Sequence, residues 1–256
     1  MDMVRGLDFF KAHFKNYSDH YVLIGGTASA LTLEEAGLEF RATKDLDIVL
    51  CVEALDEEFV RVFWAFIKAG GYKNQQRSTG RKLFYRFYDP ENENYPVMLE
   101  LFSRKPDALR HELGGRLTPI PVDEEVSSLS AILLDNDYYR FIHEHKREID
   151  GVPIVDPECL IPLKARAWLD LSDRKNSGEA IDEKDIRKHR NDVFRLFRIL
   201  DASQRVSLPD VIKNDLQKFL KKMEPEISLD LKSLGLRTMN KEEVLENIRT
   251  IFGIND

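Results

Sequence analysis

Residues 21 to 50, YVLIGGTASALTLEEAGLEFRATKDLDIVL, constrain what this chain can fold into more than any other stretch. The apolar run Tyr21 to Ile24 meets a glycine pair, Gly25 and Gly26, with no spacer; an alanine-rich helical segment follows, then a second apolar run carrying Asp45 and Asp47. The pattern reads as strand, turn, helix, strand. On an extended strand, residues two apart share a face, so Asp45 and Asp47 project together while Leu46 and Ile48 point into a core. Glycines let a phosphate approach the backbone, and the helix N-terminus beyond them offers amide donors and partial positive charge. Two carboxylates side by side need a counter-ion, and Mg²⁺ shared between carboxylates and substrate phosphates is the usual solution.

The flanking sequence supplies a sheet for this unit to join. Leu7, Phe10, Phe14 and Tyr17 recur at helical spacing ahead of it. After it, Phe59, Val62, Phe63, Phe66 and Ile67 mark a helix over 55–69 that closes at Gly70 and Gly71. Residues 83–89 read as a strand and 90–96 as a polar turn. The strand VMLELF, 97–102, carries one carboxylate, Glu100, among apolar residues. If that strand lies beside the Asp45 strand, Glu100 completes a three-carboxylate site. Residues 128–134 fit either a strand or a helix, 137–148 a helix, and 151–155 a short strand.

At Asp156, an N-cap before Pro157, the pattern turns helical to the end, with breaks near 172–178, 202–207 and 225–240. The expectation is an α+β protein: a mixed β-sheet with flanking helices over 1–155, then a C-terminal α-helical domain over 156–256.

Composition excludes little. A formal charge of −7 gives no global basic footprint for nucleic acid, although a local basic groove is compatible with it. Two cysteines, Cys51 and Cys159, make no disulfide framework and suit a reducing cytoplasm. With a charged, amphipathic start and no membrane-length apolar run, the expectation is a cytoplasmic protein without membrane attachment.

The segments VLIGGTASAL, RATKDLDIVL and VMLELF together resemble the signature of the nucleotidyltransferase superfamily with the polymerase-beta-type fold. RATKDLDIVL, DPECLIPLKARAWLDL and KDIRKHRNDVFRL further resemble the AbiEii-like group, toxins of type IV toxin–antitoxin systems. The spacer between Gly26 and Asp45 is longer than the superfamily's compact form, and the third acidic residue is Glu rather than Asp. The resemblance implies that Asp45, Asp47 and Glu100 are catalytic and hold one or two Mg²⁺ ions on a nucleoside triphosphate, with Glu100 also placed to act as general base. It implies that Gly25, Gly26 and Thr27 position the β- and γ-phosphates, with Arg41 and Lys44 nearby. Lys164 would reach the triphosphate from a helical domain that closes the nucleotide cleft, and Asp192 would orient it.

The implied reaction moves a nucleoside monophosphate from the triphosphate to a hydroxyl of RNA or protein, with an antitoxin as a partner. A small-molecule acceptor of the aminoglycoside type is an alternative. A further alternative, from a different class, is a non-catalytic nucleotide-binding or protein-interaction module with the same fold.

Each signal has a plainer rival. A glycine pair after a strand is commonly just a turn, and Arg41 and Lys44 have the alternative of being solvated loop charges. Lys164 has the alternative of snorkelling at a helix surface, and Asp192 of pairing with Arg195 or Lys188 one helical turn away. His143 and His145, two apart on a helix, diverge too far to share a metal and are expected to face solvent. The run Ile186 to Arg190 is expected to be a solvated face, and Phe194, Leu196, Phe197 and Leu200 to be packing residues rather than a base-stacking platform.

Overall fold

A computed structural model of the chain describes residues 4–74, 85–104, 117–119 and 130–254. In chain order the elements are α1 (Leu7–Phe14), β1 (Tyr21–Ile24), α2 (Gly25–Glu35), β2 (Asp45–Leu50), α3 (Glu57–Gly70), β3 (Arg86–Tyr88), β4 (Met98–Ser103), β5 (Leu117–Pro119) and β6 (Ser130–Leu133). They continue with α4 (Asn136–Glu144), β7 (Lys146–Ile149), β8 (Val152–Val155), α5 (Pro157–Asn176), α6 (Glu183–Phe197), α7 (Asp210–Met223) and α8 (Lys241–Ile251). The chain divides into two compact units, residues 1–31 with 41–155 and residues 32–40 with 156–256. Segment 32–40, which the sequence places in the first domain, thus groups with the second unit, and the division falls within α2.

The first unit is an α+β arrangement built on one mixed sheet ordered β5-β6-β4-β2-β1-β8-β7, with β3 paired to β4 as an eighth strand. The interior strand β1 is buried at all four positions, as expected of a strand covered on both faces. Leu46, Ile48 and Leu50 alternate with Asp45, Asp47 and Val49 along β2. Leu50 pairs with Tyr21, whose ring meets Phe10 and Phe14 of α1 at 5.4 and 6.2 Å between centroids. Phe59, Phe63 and Phe66 of α3 complete that cluster, so α1 and α3 bury the face of β2 opposite the aspartates. Asp56 caps α3 by accepting from the Phe59 amide at 2.7 Å.

Several elements differ from the sequence reading. The glycine pair is the first turn of α2 rather than a turn before it, because Gly25 at φ 69° redirects the chain from strand to helix within a single residue. Residues 130–133 form a strand, and the portions of the expected strands at 83–84 and 128–129 lie outside the described residues.

The helix expected over 137–148 stops at Glu144, and Lys146–Ile149 pairs antiparallel with β8 through a two-residue turn at Asp150 and Gly151. Both turn residues have positive φ, 50° and 76°, the Asp-Gly hairpin signal that overrides the helical periodicity. His143 is accordingly half-buried rather than solvent-facing: its Nδ1 lies 3.7 Å from Cys51 Sγ.

The second unit is helical. Asp156 caps α5 by accepting from the Cys159 amide at 2.9 Å, and α5 then runs through the break expected at 172 to end at Asn176. α5 packs on α6 and α7, and α6 meets α8. Leu160, Val193, Phe194, Leu216, Phe219 and Ile248 are fully enclosed, so Phe194 with Leu196 and Phe197 belongs to the core. Arg190 is also buried, donating to Ser228 Oγ at 2.9 Å, which removes it from the solvated face expected of residues 186–190. Among the described residues no helix is long and apolar enough to cross a membrane.

Candidate active site

The acidic residues meet through strand register. β2 and β4 are parallel, with Asp45 opposite Met98 and Asp47 opposite Glu100. β3 joins β4 antiparallel with Arg86 opposite Glu100, while β1 joins β2 with Ile24 opposite Asp47. One row across four strands therefore reads Arg86, Glu100, Asp47, Ile24, and residues opposite one another in a ladder project from the same face. Neighbouring strands lie about 4.8 Å apart, which places the Asp47 and Glu100 backbones side by side.

The next residue after Ile24 is Gly25, and the carboxylate of Asp47 lies directly against it. A side chain at position 25 would bring its Cβ to 1.8 Å from Asp47 Oδ2. Gly26 is equally enclosed: a Cβ there would meet Thr43 Oγ1 at 2.5 Å and an Arg41 guanidinium nitrogen at 3.7 Å. The missing side chains thus admit both an acidic and a basic group to the first turn of α2. First-turn amides of a helix have no acceptor within it, and they favour negative charge.

The other expected site residues occupy distinct positions. Thr27 is fully buried and its hydroxyl donates to the Asp45 carbonyl at 2.9 Å, so that proton ties α2 to β2. Arg41 reaches the glycine pair, whereas Lys44 is exposed and its carbonyl accepts from the Val97 amide at 3.1 Å. Lys164 and Asp192 belong to the second unit and pair with each other: Lys164 Nζ donates to Asp192 Oδ2 at 3.1 Å, with side chains 3% and 0% exposed. Lys164 is therefore neither a snorkelling nor a solvated lysine. Arg195 adds a second bond to Asp192 Oδ1 at 3.1 Å, across one helical turn.

Glu100 differs most from expectation. Its carboxylate accepts from Arg86 Nε at 2.6 Å and from Arg86 Nη2 as well. Among the described residues, no group of three or more His, Cys, Asp or Glu side chains is arranged to hold a metal ion. Asp47 and Glu100 face one another across adjacent parallel strands, and Arg86, directly opposite Glu100 on β3, supplies a counter-ion to it. What the donor set does fit is the commoner magnesium arrangement, one or two carboxylates completed by substrate phosphates, with Asp45 and Asp47 as the protein's share. The sequence does not mark Arg86, which stands among aromatic residues, because only register makes it the neighbour of Glu100.

A second polar cluster lies in the same unit. Tyr139 donates to Glu53 Oε2 at 2.6 Å and accepts from the Val52 amide at 2.8 Å, while Arg104 donates to Glu53 Oε1 at 2.9 Å. Beside it, burial pushes the Cys51 thiol up to about 12 and lowers His143. A protonated thiol next to a neutral imidazole is not a nucleophilic pair.

No protein-family model matches the chain, and no curated protein matches it. Among solved structures it is similar to an antigenic nucleotidyltransferase-like protein from Paracoccidioides brasiliensis, 17% identical over 93% of this chain and 97% of that one, with a TM-score of 0.40. It is similar also to JHP933 from Helicobacter pylori, 17% identical over 96% and 88% of the two chains, TM-score 0.41. A Megavirus polyadenylate synthase is 13% identical over 86% of this chain and 36% of its own, TM-score 0.38. Nucleotidyltransferase-like proteins are thus among the structures it resembles, at scores low enough that the reading of the site rests on this chain's own residues.

Proposed function

We propose that the chain is a nucleotidyltransferase, moving a nucleoside monophosphate from a nucleoside triphosphate to a hydroxyl of RNA or protein with release of pyrophosphate. The observation that carries this reading is the contact of the Asp47 carboxylate with Gly25 at the first turn of α2, in the sheet row that also holds Glu100. An acidic residue against the first turn of a helix supports a site that binds phosphate and cation together, and the proposed site lies wholly within the first unit.

In this reading the backbone amides of Gly26 and Thr27 face the phosphate oxygens, with Arg41 beside them adding positive charge. Asp45 and Asp47 would hold Mg²⁺, which supplies charge neutralisation on the triphosphate when bound. The Thr27 bond to the Asp45 carbonyl fixes the spacing between helix end and carboxylates, so phosphate and acid sites stay in one geometry. A toxin role with an antitoxin partner belongs to the same proposal, with growth arrest that depends on an intact Asp47 as its mark.

The test is a screen of the four labelled triphosphates against total RNA and total protein, with wild-type chain and Asp47→Asn. Transfer by the wild type that falls at least a hundredfold in the variant, at unchanged melting temperature, is expected, in the range lost with other electrostatic catalytic groups. Equal transfer by both proteins would sink the assignment. One observation favours a second reading, a non-catalytic nucleotide-binding module: the pairing of Glu100 with Arg86. Binding of magnesium triphosphate in calorimetry without labelling of any acceptor would select it.

A further inference from the structure

We propose that Arg86 is an exchangeable counter-ion for Glu100: it holds the carboxylate while the site is empty, and hands it to the cation when a triphosphate arrives, turning its guanidinium to a phosphate oxygen. This rests on the nucleotidyl-transfer reading of the same site and names the residue that switches it.

The geometry carries the argument. Asp47 and Glu100 stand opposite each other on parallel strands, so without a cation two like charges share one face of the sheet. Arg86, opposite Glu100 on the other side, neutralises one of them through two bonds to a single oxygen, Oε1. The pair is lopsided in exposure: the Glu100 side chain is 13% exposed and that of Arg86 43%. Both stand on paired strands of the sheet, but the longer and more exposed arginine side chain is the partner that can swing away. A half-exposed ion pair is weakly favourable and can be displaced by a divalent ion, whose charge is larger and more compact. Once released, the guanidinium has the planar fork that fits the oxygens of a phosphate bound to the same cation. Arg86 is thus a positioning residue for Glu100 before binding and a ligand of the nucleotide after it.

The two halves of the exchange predict effects of opposite sign, which a purely structural arginine would not give. The full chain is titrated in a calorimeter with Mn²⁺ alone, and separately with inorganic tripolyphosphate in the presence of Mn²⁺, a probe free of any choice of base. Arg86→Gln is expected to bind bare Mn²⁺ roughly fivefold more tightly, the scale of one part-exposed charge pair, and manganese tripolyphosphate at least fivefold more weakly. Arg86→Lys keeps the charge without the fork. It is expected to leave bare Mn²⁺ binding near wild type while weakening the tripolyphosphate complex, which tests the idea even if the glutamine variant folds poorly. Adding Glu100→Gln to Arg86→Gln should erase the gain for bare Mn²⁺. If Asp47→Asn abolishes Mn²⁺ binding but Arg86→Gln shifts neither titration, or shifts both in one direction, the exchange is overturned and the nucleotidyl-transfer reading survives. If wild type binds no Mn²⁺, or Asp47→Asn binds it unchanged, both fall.

Discussion

Replacing Asp192 with alanine should strongly destabilise the helical unit. The Lys164 ammonium is 3% exposed and bonded to Asp192 Oδ2 at 3.1 Å, and Asp192 itself is 0% exposed. Truncation removes the charge but leaves the ammonium enclosed without its carboxylate, a loss on the order of 3–5 kcal/mol for a buried pair broken on one side. Arg195, a second donor to Asp192, is 21% exposed and can turn to water, so the enclosed Lys164 carries the larger share of the pairing cost.

For a chain of this size each kcal/mol shifts the melting temperature by roughly 2–4 °C, giving a fall of about 6–20 °C when unfolding is a single transition. The assay is urea and thermal unfolding of Asp192→Ala, Lys164→Met and the double variant. With both charges gone the enclosed ammonium is no longer left without its carboxylate, so the double variant should be at least about 1 kcal/mol more stable than Asp192→Ala alone. The reasoning is refuted if Asp192→Ala costs less than about 1 kcal/mol, or if the single effects add to within about 0.5 kcal/mol.

The remaining predictions concern the first unit. Gly25→Ala should cost roughly 1–2 kcal/mol from its positive φ alone, and its methyl group must also displace the Asp47 carboxylate; calorimetry should show Mn²⁺ binding lost along with stability, and retained binding would count against the Gly25–Asp47 contact as the site. Cys51 should resist iodoacetamide in the native protein at pH 8.5 and react on unfolding, because burial holds its thiol near 12. Its folded value lies above that of an unfolded cysteine, about 8.5, so the stability it contributes is full below that pH and is lost as pH rises toward 12. The urea midpoint should therefore fall between pH 8 and pH 11 by more in wild type than in Cys51→Ala, and equal slopes would contradict this assignment.

What could be read from the residues was local. Apolar alternation around Asp45 and Asp47 located β2, the spacing of Phe59, Phe63 and Phe66 located α3, and Asp156 before Pro157 marked the start of α5, since each signal is complete within a few residues. The misread strand β7 shows the limit of periodicity: Lys146 to Glu148 continue the helical pattern of α4, and only the backbone demands of Asp150 and Gly151 send the chain into a hairpin. The neighbours of Glu100 were not legible, because the ladder partner of a strand residue depends on which strands pair and in what register. The same holds for Lys164 and Asp192, which lie on separate helices and meet only when α5 packs on α6.

Gly25 also has a consequence for how the sheet assembles. Because Asp45 and Asp47 are two apart, sliding β2 along β4 by two residues would still set an aspartate opposite Glu100, and the error would cost little in charge or in facing. A slide by one is forbidden differently, since it would turn both aspartates onto the apolar face of the sheet. Nothing in the aspartate spacing distinguishes the correct alignment from its two-residue alias. The hollow left by Gly25 does, since it receives the carboxylate of Asp47 at the end of β1 and so sets the alignment from the neighbouring strand. The glycine acts as an alignment pin, and its loss should populate a misaligned sheet during folding.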